Sequence, residues 1–288
     1  MKARNFRYVR PSSLTQACHI LAEANGDAVP VAGGQSLLAG LNMRLSAPKL
    51  LVDIDDLAEL SGQSEGNGVV RLGALTRHCE LLRSELVRRH LPLLRAAAPH
   101  IGHMAIRNRG TLGGSLAYAD PAAELPACAV ALDATLVIRG VAGERKVKAE
   151  QFFKGLFETD LRIGELIVAI EFPATPAGTS VGFAELARRH GDFALAGLAA
   201  TVVMQRDRIE TTRLVYFGCA DHAKVARATS RVIAGQSVPL ADTSSFRDAV
   251  HDDLSPEDTP GLRADTRLHL AQVLTRRVFN SFAARTAQ

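Results

Sequence analysis

Apolar residues fall along this chain in short clusters punctuated by glycine, proline and aspartate, and a long helical stripe occurs only near the C-terminus. Phe6–Val9 is a first extended run, and Ser13-Leu14-Thr15-Gln16 behind it has the form of a capping box, predicting a helix that stops near Gly26. Ala28–Ala32 predicts a short buried strand that runs into Gly33-Gly34-Gln35-Ser36. A helix over Leu37–Leu45 and a second buried strand over Lys49–Ile54 complete a compact β-α-β unit.

The texture changes after Leu57. Gly66-Asn67-Gly68 marks a turn into a strand at Val69–Leu72, Thr76 is placed to cap a helix reaching about Arg89, and Pro92 opens a short helix ended by Pro99. A loop rich in glycine and arginine, Ile101–Ser115, leads through Ala117–Pro126 to an apolar helix at Ala127–Leu132. Thr135–Arg139 and Glu144–Lys148 read as a hairpin, and Glu165–Phe172 alternates like a strand with one wet face. Pro173–Gly178 has the composition of a linker. Beyond it, Gly182–Leu186, Ala194–Gln205 and Thr212–Cys219 predict antiparallel strands, followed by helices near His222–Ala234, Thr243–His251 and Arg263–Ala284. The last helix places Leu268, Ala271, Leu274, Val278 and Phe282 on one face. The order is that of a mixed α+β chain in three pieces.

Composition narrows the class. With 288 residues, 47% hydrophobic and 22% charged, the chain has ordinary globular usage, and its apolar runs fall short of the roughly 18 residues that a membrane span needs. Met1–Tyr8 carries charge with no apolar stretch behind it, so no secretory signal is expected. Cys18, Cys79, Cys128 and Cys219 are too dispersed for a CxxC pair or a dense disulfide framework, which fits a reducing, cytoplasmic setting. Charge is segregated: Arg71–Gly110 carries eight arginines against Glu80 and Glu85, while Ala241–Pro260 carries six acids against Arg247. Such faces suit oppositely charged protein partners or simple solvation. Nucleic acid is disfavoured, since aromatics are only 5% of residues and no recognition motif is present.

Most catalytic signatures are missing. The chain has no GxxxxGK[ST], no HExxH and no GxGxxG, and Gly34-Gln35-Ser36-Leu37-Leu38 lacks the closing glycine of a nucleophile elbow. His100 and His103 have a spacing two ligands could use but no nearby carboxylate or cysteine, so no metal site is expected. Two segments rhyme instead. Ala32-Gly33-Gly34-Gln35-Ser36-Leu37 and Thr111-Leu112-Gly113-Gly114-Ser115-Leu116 each set a glycine pair before a small hydroxyl residue. Paired glycines let bare backbone amides approach an anion, and the hydroxyl adds a donor, so the pair of loops points to a cofactor with a pyrophosphate.

Ala32–Leu37 and Ile106-Arg107-Asn108-Arg109-Gly110-Thr111-Leu112-Gly113-Gly114-Ser115, with Ala119-Asp120-Pro121-Ala122-Ala123-Glu124-Leu125-Pro126 and Arg188-Arg189-His190-Gly191-Asp192-Phe193-Ala194, resemble the FAD-binding medium subunit of molybdenum hydroxylases, the group of carbon monoxide dehydrogenase and xanthine dehydrogenase. The resemblance covers essentially the whole chain, with the motifs in the family's order. It implies an α+β flavin fold of the vanillyl-alcohol-oxidase (PCMH) type, with FAD-binding subdomains at 1–55 and 56–176 and a third domain at 177–288. It places Pro30, Val31, Ala32, Gly33, Gly34, Gln35, Ser36 and Leu37, with Thr111, Leu112, Gly113, Gly114 and Ser115, around the diphosphate and ribityl chain of FAD. Ile101 and Glu124 match contact positions, and Asp120 is either a cofactor contact or a turn acceptor. Leu166 or Ile167 would meet the adenine or ring edge. Phe193 would cover the isoalloxazine or else be a core aromatic at a strand.

Gln35 and Tyr118 stand where many relatives carry histidine, and Ala184 where xanthine dehydrogenases carry a flavin-contacting lysine, which argues against simple transfer of their NAD-reducing chemistry. The resemblance further implies non-covalent FAD, a large molybdopterin subunit and a small 2Fe–2S subunit as partners, and a heterohexamer with two copies of each. Electrons would pass from the 2Fe–2S clusters through FAD to an external acceptor, and no catalytic acid–base residue would be needed in this chain. A stand-alone flavin oxidase and a non-catalytic assembly subunit are the alternatives.

Overall fold

The computed structural model describes residues 2–286. Its first unit contains β1 (Arg7–Val9), α1 (Leu14–Glu23), β2 (Ala28–Val31), α2 (Leu37–Asn42) and β3 (Leu50–Asp53), with the strands in a parallel sheet of order β1-β3-β2. Ser13 caps α1 by accepting from the Gln16 amide, and the helix buries Leu14, Ala17, Cys18 and Leu21. Both helices are shorter than their apolar patterns suggest: α1 ends at Glu23 ahead of positive-φ Asn25 and Gly26, and α2 ends at Asn42 ahead of positive-φ Arg44.

The second unit opens with β4 (Gln63–Gly66) and β5 (Val69–Gly73), then runs through α3 (His78–Arg83), α4 (Glu85–His90), α5 (Pro92–Ala97), α6 (Met104–Arg107), α7 (Leu112–Tyr118) and α8 (Glu124–Ala131). After β6 (Thr135–Gly140), β7 (Gly143–Lys148) and α9 (Ala149–Phe152), a small hairpin of β8 (Phe153–Gly155) and β9 (Glu158–Thr159) precedes β10 (Leu166–Pro173). The antiparallel sheet has the order β4-β5-β10-β6-β7. Five expectations change here. Thr76 caps nothing: α3 starts one residue later, where Glu80 Oε2 accepts from the Arg77 amide at 2.7 Å. Ser84 divides the expected single helix, ending α3 and capping α4 by accepting from the Val87 amide. The supposed loop 101–115 contains α6 and the first turns of α7, and α8 begins at Glu124 rather than Ala127. Strand β10 has no wet face, because it is the central strand of the sheet and is covered on both sides.

The third unit pairs β11 (Thr179–Ala187), β12 (Ala194–Gln205), β13 (Arg208–Phe217) and β14 (Lys224–Val225) in that order, followed by α10 (Arg227–Ile233), α11 (Ser244–Asp253) and α12 (Ala264–Thr286). The helix expected from His222 thus begins only at Arg227, after a two-residue strand. α12 buries Leu268, Ala271, Leu274, Val278 and Phe282. The outer face of this sheet and these helices form one core, while Ala199, Val215 and Phe217 on the sheet's other face join the core of the second unit. His100 of the second unit has its ring 5.0 Å from that of Phe183 on β11 and 6.2 Å from that of His190, which seats the β11–β12 turn, residues 188–193, over the second unit.

Candidate cofactor cleft

A cleft of about 510 Å³ opens where the three units meet, a size within the roughly 300–1,000 Å³ usual for small-molecule and cofactor pockets. It is lined by Pro30, Val31, Ala32, Gly33, Gly34, Gln35, Ser36 and Leu37 from the first unit and by Ile101, Thr111, Gly113, Gly114, Ser115, Asp120, Glu124, Leu166 and Ile167 from the second. Phe193, from the third unit, completes it. Of the residues singled out in the sequence, Leu112 alone stays outside. It is fully buried in the core of the second unit, and its amide donates to the Thr76 carbonyl at 2.8 Å.

The two glycine segments rhyme in sequence and differ in structure. In the first, Gly34 has φ +71°, the Gln35 side chain donates to the Gly33 carbonyl at 3.0 Å, and the amides of Gly34, Gln35 and Ser36 have no acceptor within the described chain. These residues line the cleft at a turn that ends a parallel strand, where anions are readily held. In the second, the amides are already engaged: Gly113 donates to the Ala74 carbonyl at 2.8 Å, Gly114 to Thr111 Oγ1 at 3.1 Å and Ser115 to the Thr111 carbonyl at 3.0 Å. Thr111 is therefore the N-cap of α7, and the expected second backbone cradle is a closed helix start. Its glycines give room. A Cβ on Gly113 would lie 2.6 Å from that of Ala74, so this glycine sets how closely α7 sits on the sheet.

The remaining wall is partly ionisable. Asp120 Oδ1 accepts from the Ala122 amide at 2.9 Å, so it is a turn acceptor as well as a cleft residue, and burial raises its carboxyl above the usual range. Burial pushes Glu124 up to about 7, with the Glu185 charge adding to the effect and His100 opposing it. His78 is buried behind Gly110; desolvation lowers it to about 4, and its Nε2 lies 3.0 Å from the Thr111 carbonyl. Phe193 is 69% exposed at the rim, which excludes a core role and leaves its ring available to a ligand. Sequence reasoning missed His78, Ile54, Leu75 and Leu161 in this wall, since each lies outside the glycine segments and reaches the cleft only through tertiary packing.

The charged segments are largely spent within the chain. Arg71 pairs with Glu171, Arg77 with Asp55, and Arg107 holds the Ile101 and Gly102 carbonyls, while Asp253 accepts from the first amides of α10.

An α+β chain whose parallel and antiparallel units close on a cleft with open strand-end amides suits a phosphate-bearing cofactor, and comparison with known proteins gives its class. Residues 4–175 match the family model for the FAD binding domain in molybdopterin dehydrogenase, and residues 182–282 match that for the CO dehydrogenase flavoprotein C-terminal domain. The chain belongs to this family: it is an FAD-binding medium subunit of the molybdenum hydroxylases, an oxidoreductase component. It is 36% identical to the 6-hydroxypseudooxynicotine dehydrogenase complex subunit alpha of Paenarthrobacter nicotinovorans, over 96% of this chain and 94% of that one. It is 35% identical to the glyceraldehyde dehydrogenase medium chain of Sulfolobus acidocaldarius, over 96% and 98%. Its fold superposes on a chain of the carbon monoxide dehydrogenase of Hydrogenophaga pseudoflava with a TM-score of 0.93, at 33% identity over 99% of both chains.

Proposed function

We propose that the chain holds one FAD non-covalently in this cleft and passes electrons from 2Fe–2S clusters of a partner subunit through it to an external acceptor. The observation that carries the reading is the set of open amides at Gly34, Gln35 and Ser36, buttressed by a glycine that no larger residue could replace. These residues fit a diphosphate. Thr111 and Ser115 add hydroxyls, Glu124 and Asp120 offer acceptors for ribose or ribityl hydroxyls, and Ile101, Leu166 or Ile167, and Phe193 offer apolar surface for the rings. When bound, the flavin supplies redox chemistry that no side chain here can perform, and the chain's part is to position it and set its electrostatic surroundings.

The three-piece division at 1–55, 56–176 and 177–288 belongs to the same proposal, the cleft lying between the first two pieces with Phe193 of the third at its rim. So do the large molybdopterin subunit and small 2Fe–2S subunit as partners, in a heterohexamer with two copies of each. Relatives named as a complex subunit and as medium chains support partner subunits. No helix among the described residues is long and apolar enough to cross a membrane, which accords with the cytoplasmic placement we propose.

The purified chain should be yellow and should release all its flavin on acid precipitation. Colour retained by the precipitate would refute the non-covalent claim, and a colourless native chain would favour a purely assembling subunit. Purification from its native source should bring a molybdenum-containing and an iron–sulfur subunit with it. Turnover of a substrate by this chain alone would instead support the stand-alone oxidase.

A further inference from the structure

The third unit reaches the cleft through one turn. β11 ends at Ala187, β12 begins at Ala194, and the turn between them lays Gly191, Asp192 and Phe193 along the wall. The Phe193 ring is largely exposed, so its own burial contributes too little to fix its place. What holds the turn is the segment after α5. Gly191, at φ +78°, lies so close to Gly102 that a Cβ on it would sit 2.9 Å from the Gly102 carbonyl carbon and oxygen. Gly102 is itself braced, because Arg107 Nη1 donates to the carbonyls of Ile101 at 3.1 Å and Gly102 at 2.6 Å.

His100, two residues earlier, reaches across to the third unit three times. Besides its ring contacts with Phe183 and His190, its Nδ1 lies 3.3 Å from Glu185 Oε1 on β11. Phe183 is supported from behind by Phe217, with ring centroids 5.6 Å apart. The Glu185 side chain is only 5% exposed, and its Oε2 has no hydrogen-bond partner among the described residues. A carboxylate so buried is costly unless paired, and His100 is the cation-forming group beside it. Without His100 the carboxylate would be driven toward water, and β11 runs from Glu185 directly into the turn. The register shift between Leu186 and Ala187 marks where the strand can bend.

We propose that His100 and Glu185 are positioning residues for Phe193: with the Gly191–Gly102 contact they latch the β11–β12 turn onto the second unit and hold the ring at the cleft. The latch rests on the flavin reading for its purpose, since a ring held at the rim covers bound flavin and slows its release. Broken, it frees the turn to swing about Leu186–Ala187 and carry Phe193 away from the opening.

The chain contains no tryptophan, so Phe193→Trp places a sole indole on the turn. In the flavin-free full chain carrying it, His100→Phe keeps a ring against Phe183 but cannot pair with Glu185, and should lower the fluorescence anisotropy of that indole. Adding Glu185→Leu should restore much of the anisotropy, because the unpaired buried carboxylate is then gone. Lys49→Gln, at an exposed pair with Asp27 in the first unit, should change nothing. In the flavin-bound chain with native Phe193, His100→Phe should speed flavin release about tenfold, the size of an ordinary coupling between side chains in contact. In a Phe193→Ala background the same substitution should leave the release rate where it is, since the ring it positions is absent. A residue that merely supports the fold would act with or without that ring. If His100→Phe does not fold, Gly191→Ala, which disturbs the turn from its other contact, replaces it in the anisotropy and release comparisons. Unchanged anisotropy, a further loss on adding Glu185→Leu, or an undiminished effect in the Phe193→Ala background would overturn the proposal. A chain that never takes up flavin would refute the proposed function and leave the indole measurements to decide the latch.

Discussion

The Arg109 carbonyl lies against Gly33 so closely that a Cβ on that glycine would sit 2.0 Å from the oxygen. Gly33 belongs to the loop after β2 and Arg109 to the segment after α6, so this contact joins the first unit to the second at the edge of the cleft. The obstructing atom is backbone and cannot swing aside. Gly33→Ala should therefore separate the two segments, cost roughly 1–3 kcal/mol of stability and abolish flavin retention. Gly40→Ala in α2 is the control, because nothing lies within 4 Å of its Cβ position; it should retain full flavin. Flavin absorbance and thermal melting of both variants, measured together, check the contrast.

A different contrast holds at the second glycine pair. Gly113→Ala would press its Cβ against Ala74 and should destabilise by roughly 1–3 kcal/mol. At Gly114 the added Cβ would meet Thr111 Oγ1 at 2.6 Å, so alanine would weaken a cap worth about 1 kcal/mol while gaining about 1 kcal/mol in helix propensity. Gly114→Ala should thus melt close to the native temperature, and any loss of flavin in it reports crowding of the cleft. Early melting of Gly114→Ala with full flavin would show that its role is confined to the helix start.

The limits of the sequence reading lie in these same residues. The strand-turn-helix order around Gly33 was legible because β2 and α2 are local and carry their own apolar patterns. The two glycine pairs looked alike because sequence shows the residue types but not which amides are already bonded. The structure shows the second pair closed, the Gly113 amide by the Ala74 carbonyl and the Gly114 amide by the Thr111 hydroxyl. Strand β10 misled in a related way, since its one wet face was inferred from an alternation that central placement between β5 and β6 overrides. Glu185 and His78 gave no signal at all. Their burial depends on segments distant in the chain.

Arg77 ties together the boundary between the first two units. Its guanidinium reaches Asp55 Oδ1 at 2.7 Å and the Arg109 carbonyl at 2.5 Å, and Arg109 lies 3.7 Å from the other Asp55 oxygen. The Arg77 and Asp55 side chains are both largely buried, at 21% and 15% exposure, so truncation leaves a desolvated carboxylate short of its partner. Arg77→Ala should cost roughly 1–3 kcal/mol by urea denaturation and weaken flavin affinity through the displaced Arg109 segment. Arg77→Lys should recover little, because one ammonium cannot serve both acceptors in the guanidinium's fixed geometry. Full recovery with lysine would show that charge alone matters at this joint.

His78 gives the cleft wall an acid-sensitive point. Buried as a neutral ring, it is held near pKa 4 by desolvation, with the charges of Arg107 and Arg77 adding to the effect, against an ordinary value of 6.5. Between those values the unfolded chain binds a proton that the folded chain refuses. The histidine's contribution is therefore complete above about pH 6.5 and is lost as the pH falls toward 4, by about 3 kcal/mol in all. Glu124 acts in the opposite sense over an overlapping window, since its raised pKa lets the folded state hold a proton that the unfolded state has released. The informative quantity is then the difference between variant and native chain. His78→Gln keeps a donor for the Thr111 carbonyl but cannot titrate, so urea melts at pH 7 and pH 4.5 should show a smaller acid-induced loss than in the native chain. Equal losses in the two proteins would mean that His78 accepts its proton without leaving the fold.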